Sequence, residues 1–407
     1  MRQKTTDPIF QADEGLAIHG GTPARAEAIF TGVWPSNNAR AQVAEMMNSG
    51  LLSNYYSGPW ARKFERAFAA YFGPEYRGVS VNSGTSALHL ALTAADIGSG
   101  DEVIVPAFCF VAAVTAIVQN GAIPVICDAE PASLTMSADR IKELITPRTK
   151  AVLVVHFWGH PAEMDAITKL CHDNGVNLIE DCAQAFGAQV LGQSVGTFSD
   201  FVTYAFSVRK HISCGEGGMV MCNGEAHHER LRVLANYGKG PDWDDYDSAG
   251  FSYRMAEFPA IVGLDGLARL DDEIAARQYA GDCYAQVLPR EGLEPVVDPA
   301  WGRSAFFKCP VMVPDSAKKI RGELVKAIGA ENISCRIPHR PLFRIEWLNA
   351  YLQEKGALMT ADDCPIARDA HPRLIELETG PHLPPPEVAV SCEGALKVWR
   401  HFANSGS

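Results

Sequence analysis

From about Gly78 to Asn223 the chain alternates two hydrophobic patterns. The apolar runs GVSVNS, EVIVPA, IPVICD, AVLVVHF, VNLIED, FVTYAFS and GMVMCN read as strands. They are near-continuous in Val and Ile rather than strictly alternating, which fits strands covered on both faces. Between them TSALHLALTAA, FVAAVTAIVQNG, SADRIKELI and AEMDAITKLCHDNG carry apolar residues at helical spacing. This rhythm predicts an α/β fold with a mostly parallel sheet and helices on both sides. Two helices precede it, one from Ala39 to Leu51 and one from Ala61 to Phe72 with Phe64, Ala67, Phe68 and Tyr71 on one face. The turn-rich loop NYYSGPW joins them. From about Arg254 a long helical stretch runs to Pro289, followed by short mixed elements. The expected division is an N-terminal arm (1–34), a large domain (35–265) and a smaller C-terminal α+β domain (266–407).

Composition narrows the function. The 407 residues are 47% hydrophobic and 21% charged, an ordinary globular balance. With 48 acidic against 36 basic side chains, the formal charge is −12. Such a chain lacks the basic footprint that nucleic acid or an anionic membrane surface requires. No apolar run reaches the roughly 18 residues of a membrane helix, and the N-terminus has no apolar signal segment. None of the eleven cysteines forms a C-x-x-C pair, so free thiols in a reducing cytoplasm are expected.

Three motifs carry chemistry. In NSGTSALHL (82–90) a strand gives way to a helix, placing Ser83, Thr85 and Ser86 at the helix start. Such a turn binds phosphate through unpaired N–H groups, or simply caps the helix. No G-x-G-x-x-G or P-loop pattern occurs. In IEDCAQAFGA, Asp181 ends a strand, where open α/β sheets bind ligands. It suits a metal, a general base, a protonated ring nitrogen or a helix cap, and Gln184 can reach the same ligand. In AFSVRKHISCGEGGMV, Lys210 lies between a strand and a Gly-rich turn. A lysine there forms a Schiff base if burial and a nearby cation lower its pKa; otherwise it is a solvated loop residue. His156 and His160 are four apart in HFWGH, but Gly159 between them argues against a helix and no metal site is expected. His156 remains a candidate neighbour of a ligand at the sheet edge.

The order and spacing of these motifs resemble fold-type-I pyridoxal phosphate enzymes. More closely, LAIHGGTPA, SGPWARKFERAFAAYFG, NSGTSALHLAL, GDEVIVPAFCF, IEDCAQAFGA, FSVRKHISCGEGGMV, YRMAEFPA and DDCPIA resemble the DegT/DnrJ/EryC1/StrS family of sugar and cyclitol aminotransferases. The resemblance spans about residues 16–370 and implies a seven-stranded, mostly parallel sheet with pyridoxal 5'-phosphate as cofactor. It assigns Lys210 to covalent attachment of the cofactor and proton transfer, and Asp181 to the ring nitrogen. Gln184 falls beside the ring and Phe110 on its face. Gly84, Thr85 and Ser86 fall in the phosphate turn. Ala205 stands where many members have a phosphate-binding Ser, leaving Ser207 as the nearest hydroxyl. Ser252 stands where many have an Asn that reaches the neighbouring subunit's phosphate. Relatives that dehydrate sugars carry His in place of the lysine; here Lys210 is present and transamination is expected, with His211 solvated or merely supporting. The family also implies a small-molecule amino donor (glutamate or glutamine), a keto-sugar or keto-cyclitol acceptor, a role in natural-product or antibiotic biosynthesis, and a homodimer with shared sites. The acidic stretch DWDDYD (242–247), Tyr55, Tyr56 and His339 fall where the family meets substrate or partner. The alternatives are dehydration or cyclodehydration with the same cofactor, or a non-catalytic regulator.

Overall fold

The computed structural model describes residues 15–29, 32, 34–53, 58–240 and 245–404. Tyr55, Tyr56 and residues 242–244 of the acidic stretch lie outside the described residues. Two helices, α1 (Asn37–Ser49) and α2 (Pro59–Phe72), lead into an alternating series. It runs β1 (Tyr76–Val81), α3 (Gly84–Ala94), β2 (Glu102–Pro106), α4 (Ala112–Gln119), β3 (Ile123–Cys127), α5 (Ala138–Lys142), β4 (Thr149–Val155), α6 (Met164–Asn174) and β5 (Asn177–Asp181). Short strands β6 (Gln189–Val190) and β7 (Gln193–Ser194) precede β8 (Phe201–Ala205) and β9 (Gly218–Asn223). The helices α7 (Glu225–Ala235), α8 (Glu257–Leu267) and α9 (Leu270–Val287) follow.

The central sheet has seven strands in the order β1-β9-β8-β5-β4-β2-β3. Only β9 breaks the parallel arrangement, running antiparallel to both β1 and β8. The expected continuous apolar strands are explained by burial on both faces. Val103 and Val105 pack with Leu90 of α3 and Ile117 of α4, whereas Ile104 between them packs with Phe64 and Phe68 of α2 and Ile167 of α6. Each such fully buried side chain stabilises the fold by roughly 1.5–3 kcal/mol.

The remainder comprises β10 (Glu294–Pro295), β11 (Gly302–Arg303), β12 (Cys309–Met312), α10 (Arg321–Ala330), β13 (Cys335–Arg336), α11 (Glu346–Glu354), α12 (Pro365–Ala370), β14 (Leu374–Leu377) and α13 (Pro385–Asn404). β10, β12, β14 and β13 form an antiparallel sheet, and β11 joins β6 and β7 in another. Tyr284, Val311, Leu324 and Val388 centre a separate core under the four-stranded sheet. Leu348 and Leu352 of α11 and Ala367 of α12 instead join the core beneath α3 and α4.

The helical stretch after Arg254 is two helices. Arg269 leaves helical backbone (φ −115°, ψ 8°), and its guanidinium folds back onto Asp265 at 2.9 Å. The restart places Asp271, Asp272 and Glu273 in the first turn of α9, at the positive end of its dipole. Apolar spacing continues across the break, so the hydrophobic pattern does not reveal it. Among the described residues no helix is long and apolar enough to cross a membrane.

Candidate active site

The C-terminal ends of β1, β4, β5 and β8 share one sheet edge, where a cavity of about 370 Å³ opens. Asp181 ends β5 on its floor, 9% exposed, with Oδ1 accepting a 2.9 Å hydrogen bond from the Ala183 N–H. Burial holds this carboxyl above the usual carboxylate range, against the pull of that N–H, Lys210 and His156.

Lys210 reaches the cavity from the loop joining β8 to β9. That loop is tied at its neck by Phe206 N–H to Gly217 O (2.8 Å) and Cys214 N–H to Phe206 O (2.9 Å). At its tip Lys210 N–H closes a turn on Ser207 O at 3.1 Å, with Arg209 in the left-handed region at φ 74°. The Lys210 ammonium lies 4.6 Å from the centroid of Phe307. Burial lowers its pKa to about 8; Asp181 opposes the shift, and Arg277, Arg336 and Lys308 reinforce it. The condition set by the sequence reading, burial with neighbouring cations, is met.

The start of α3 forms another wall through Ser83, Gly84 and Thr85. Ser83 caps the helix, its Oγ accepting from Ser86 N–H at 3.1 Å, while the Ser86 hydroxyl donates to Asn82 Oδ1 at 2.6 Å. Ser86 therefore serves the cap and does not line the cavity. Gly84 is required by close approach: a Cβ there would stand 2.5 Å from the Ala205 Cβ. Ser207, Gln184 and Phe110 complete the set of lining residues named above. Gln184 Oε1 accepts from Trp158 N–H at 2.8 Å, and the half-exposed Phe110 meets His339 edge-on at 5.2 Å. Ser252 stands apart from the cavity, its Oγ accepting from Arg254 at 2.8 Å.

Three histidines near the site are buried. His156 is fully buried, its Nδ1 accepting from Ala162 N–H at 3.1 Å and its Nε2 facing Glu180 at 3.3 Å. Glu180 is in turn satisfied by the N–H groups of Gly196 and Phe198 and by Ser199. His160 pairs with Ser304 at 2.7 Å. His211 is buried against Phe186 and Phe307 rather than solvated.

Sequence reasoning missed the cationic wall. Arg336 of β13 and Lys308, just before β12, both line the cavity. Arg336 donates to Glu376, which also accepts from the Trp158 indole, and Lys308 is ion-paired with Glu378. One signal was available: a lysine inside the apolar run AFFKCPVMV has no reason to be there unless it is paired.

The DegT/DnrJ/EryC1/StrS aminotransferase family model matches residues 36–393. The chain belongs to this family. Members are pyridoxal 5'-phosphate-dependent aminotransferases, and so is this protein. Similar DegT/DnrJ/EryC1/StrS proteins include GDP-perosamine synthase of Caulobacter vibrioides, 34% identical over 81% of this chain and 87% of that one. The dTDP-3-amino-3,4,6-trideoxy-alpha-D-glucose transaminase of Streptomyces venezuelae is 34% identical over 88% and 91%. The solved aminotransferase TlmJ from Streptoalloteichus hindustanus superposes with a TM-score of 0.82 at 29% identity, over 92% of this chain and all of that one (100%).

The residues present fit the cofactor these aminotransferases use. A partly buried amine, a buried carboxylate and a helix N-terminus that admits no Cβ at Gly84 surround one cavity.

Proposed function

We propose that the protein transfers an amino group from glutamate or glutamine to a keto-sugar or keto-cyclitol in amino sugar, aminocyclitol or antibiotic biosynthesis. The observation that carries this reading is the pairing of the Lys210 amine with the Asp181 carboxylate in one cavity. The names of the relatives, a perosamine synthase and an amino-trideoxyglucose transaminase, set the acceptor class.

When bound, pyridoxal 5'-phosphate supplies an electron sink for charge developing on the substrate carbon. The chain's residues do the rest. Asp181 keeps positive charge on the ring nitrogen. Lys210 Nζ would hold the cofactor and, once free as a neutral amine, would take the proton from the donor's α-carbon and carry it onward. Gly84 and Thr85, at the N-terminus of α3, and the Ser207 hydroxyl hold the phosphate, with Ser86 keeping that helix end in shape. Phe110 and Gln184, both in the cavity lining, would hold the ring. Arg336, partly exposed in the cavity wall, receives a donor carboxylate.

The working unit is a homodimer in which Ser252 serves the partner's site, and its location is the cytoplasm. Met47, Leu51, Leu52 and Phe258 are large apolar side chains left exposed around α1 and α8, where the Glu257 N–H also donates to Leu52 O at 3.2 Å. A patch of this kind suits a second copy of the chain. Eleven free cysteines, nine of them buried, suit a reducing compartment.

The test is to load the purified chain with cofactor, supply glutamate or glutamine with a panel of keto-sugars and keto-cyclitols, and assay amine products by mass spectrometry. Absence of an amine from every pair, with cofactor bound at Lys210, would remove the transamination reading.

A further inference from the structure

Arg277, on α9, lies outside every motif that carries the family resemblance and is 3% exposed. A buried guanidinium is costly unless its donors are met. Here they are met by four segments. Nε and Nη2 hold Glu273, one turn back on α9, at 2.9 and 2.6 Å. Nη1 donates to Phe307 O at 3.0 Å and to Thr379 O at 3.2 Å. Nη2 donates to Arg209 O at 3.1 Å.

The last bond falls on the carbonyl immediately before Lys210. Arg209 is held at φ 74°, a conformation that is strained for a non-glycine residue and persists only where its surroundings enforce it. Arg277 also lies 5.4 Å from the centroid of the Phe307 ring, against which the Lys210 ammonium rests at 4.6 Å. Thus one side chain grips the backbone of the lysine turn and stands beside the seat of its amine.

We propose that Arg277 is a positioning residue for Lys210: its fork ties α9 to the carbonyls of Phe307, Thr379 and Arg209, fixes the strained turn that carries the lysine, and sets a guanidinium beside the Phe307 ring on which the amine rests. The role of that amine rests on the transamination reading; the clamp itself does not.

The other charges facing Lys210 make Arg277 the distinctive one. Asp181 from β5 favours the ammonium, while Arg336 from β13 and Lys308 before β12 oppose it. Lys308 is itself pushed down to about 8 by burial, so its charge fades over the same pH range. Arg336 carries its own carboxylate, Glu376, and its side chain is 43% exposed. His339 and His211, both held below the usual imidazole range chiefly by burial, add little charge near neutrality. Apart from Glu273, the acceptors of Arg277 are neutral oxygens.

The test follows the pH dependence of Lys210 labelling by trinitrobenzenesulfonate in the full chain stripped of cofactor, read by peptide mass spectrometry. The wild-type midpoint is expected at about 8. Arg277→Gln raises it by about one unit, and Arg277→Lys restores it to within about 0.3 unit, because charge survives without the fork. Glu273→Gln leaves the Arg277 charge less neutralised and lowers the midpoint. A role confined to stability would shift the melting temperature of these variants and leave all midpoints at the wild-type value, which overturns the proposal. If Arg277→Gln does not fold, Glu273→Gln decides: a lowered midpoint sustains the proposal and an unchanged one overturns it. No substrate enters this measurement, so failure to transaminate and failure of the clamp are separate results.

Discussion

Lys210 and Lys308 show how two chemically identical residues acquire different work. Burial pushes both down to about 8, but Lys308 is tied to Glu378, whereas Lys210 faces Asp181 across the cofactor cavity. The sign of the Lys210 shift sets a pH dependence. Its ordinary value is 10.5 and its folded value about 8, so the neutral amine gains population as pH rises through about 8. The proton-moving half-reaction should accelerate across that range and level off above it, as stopped-flow absorbance with glutamate will show; a flat profile would place the proton elsewhere. Asp181→Asn tests the opposite partner. The amide oxygen can still accept from Ala183, so the fold should hold while the charge is lost. The half-reaction should slow by about 100-fold or more, the scale of losing a key electrostatic group. Asp181 was legible because it ends a strand within a recognisable phrase, and Lys210 because its phrase sets it between a strand and a Gly-rich turn. Arg277, Arg336 and Glu378 were not, and Lys308 showed only as an unexplained lysine in an apolar run. They lie on separate elements, and only the tertiary fold brings Arg277 and Lys308 to the Phe307 ring beside Lys210.

At the scale of elements, the approach of α3 to β8 shapes the phosphate side of the cavity. Gly84 begins the helix with no room for a side chain, and Ala205 ends the strand facing it. Gly84→Ala separates two opposing effects. Helix propensity alone favours Ala by up to about 1 kcal/mol. A methyl 2.5 Å from the Ala205 Cβ instead forces helix and strand apart. Overpacking should win, lowering unfolding free energy by about 1–3 kcal/mol in denaturant melts and weakening cofactor binding by roughly tenfold. A stabilised variant with unchanged cofactor affinity would show that the gap can open freely. The seven strands were readable in sequence because double-sided burial leaves an unbroken apolar run. The break between α8 and α9 was hidden because Leu264, Leu267 and Leu270 keep helical spacing across Arg269, where the backbone turns.

At the scale of the molecule, the buried His160 and His371 and the half-buried His382 respond to acid. Burial lowers His160, His371 and His382 to about 4, from an ordinary value of 6.5. The unfolded chain binds protons at these sites from about pH 6.5 downward, while the folded chain resists until about 4, so stability falls as pH drops through that interval. Glu65 works in the other direction. Burial raises it from 4.5 to about 7, so its contribution falls as pH rises between those values. His211 and His339, also held low by burial, act with these histidines, and Asp181, held high, acts with Glu65, so the acid response is tested one residue at a time. His160 offers the cleanest test, since it is fully buried and its Nδ1 is bonded to Ser304 alone at 2.7 Å. Shifting from about pH 7 to about pH 5 should cost the wild type about 2 kcal/mol through this residue. His160→Gln retains a polar partner for Ser304 but cannot titrate. Urea unfolding at both pH values should therefore show the variant losing about 2 kcal/mol less than wild type on acidification, whatever its stability at neutral pH. Equal losses in the two proteins would mean that His160 protonates in the folded state without strain, and the acid sensitivity would then have to originate at His371 and His382.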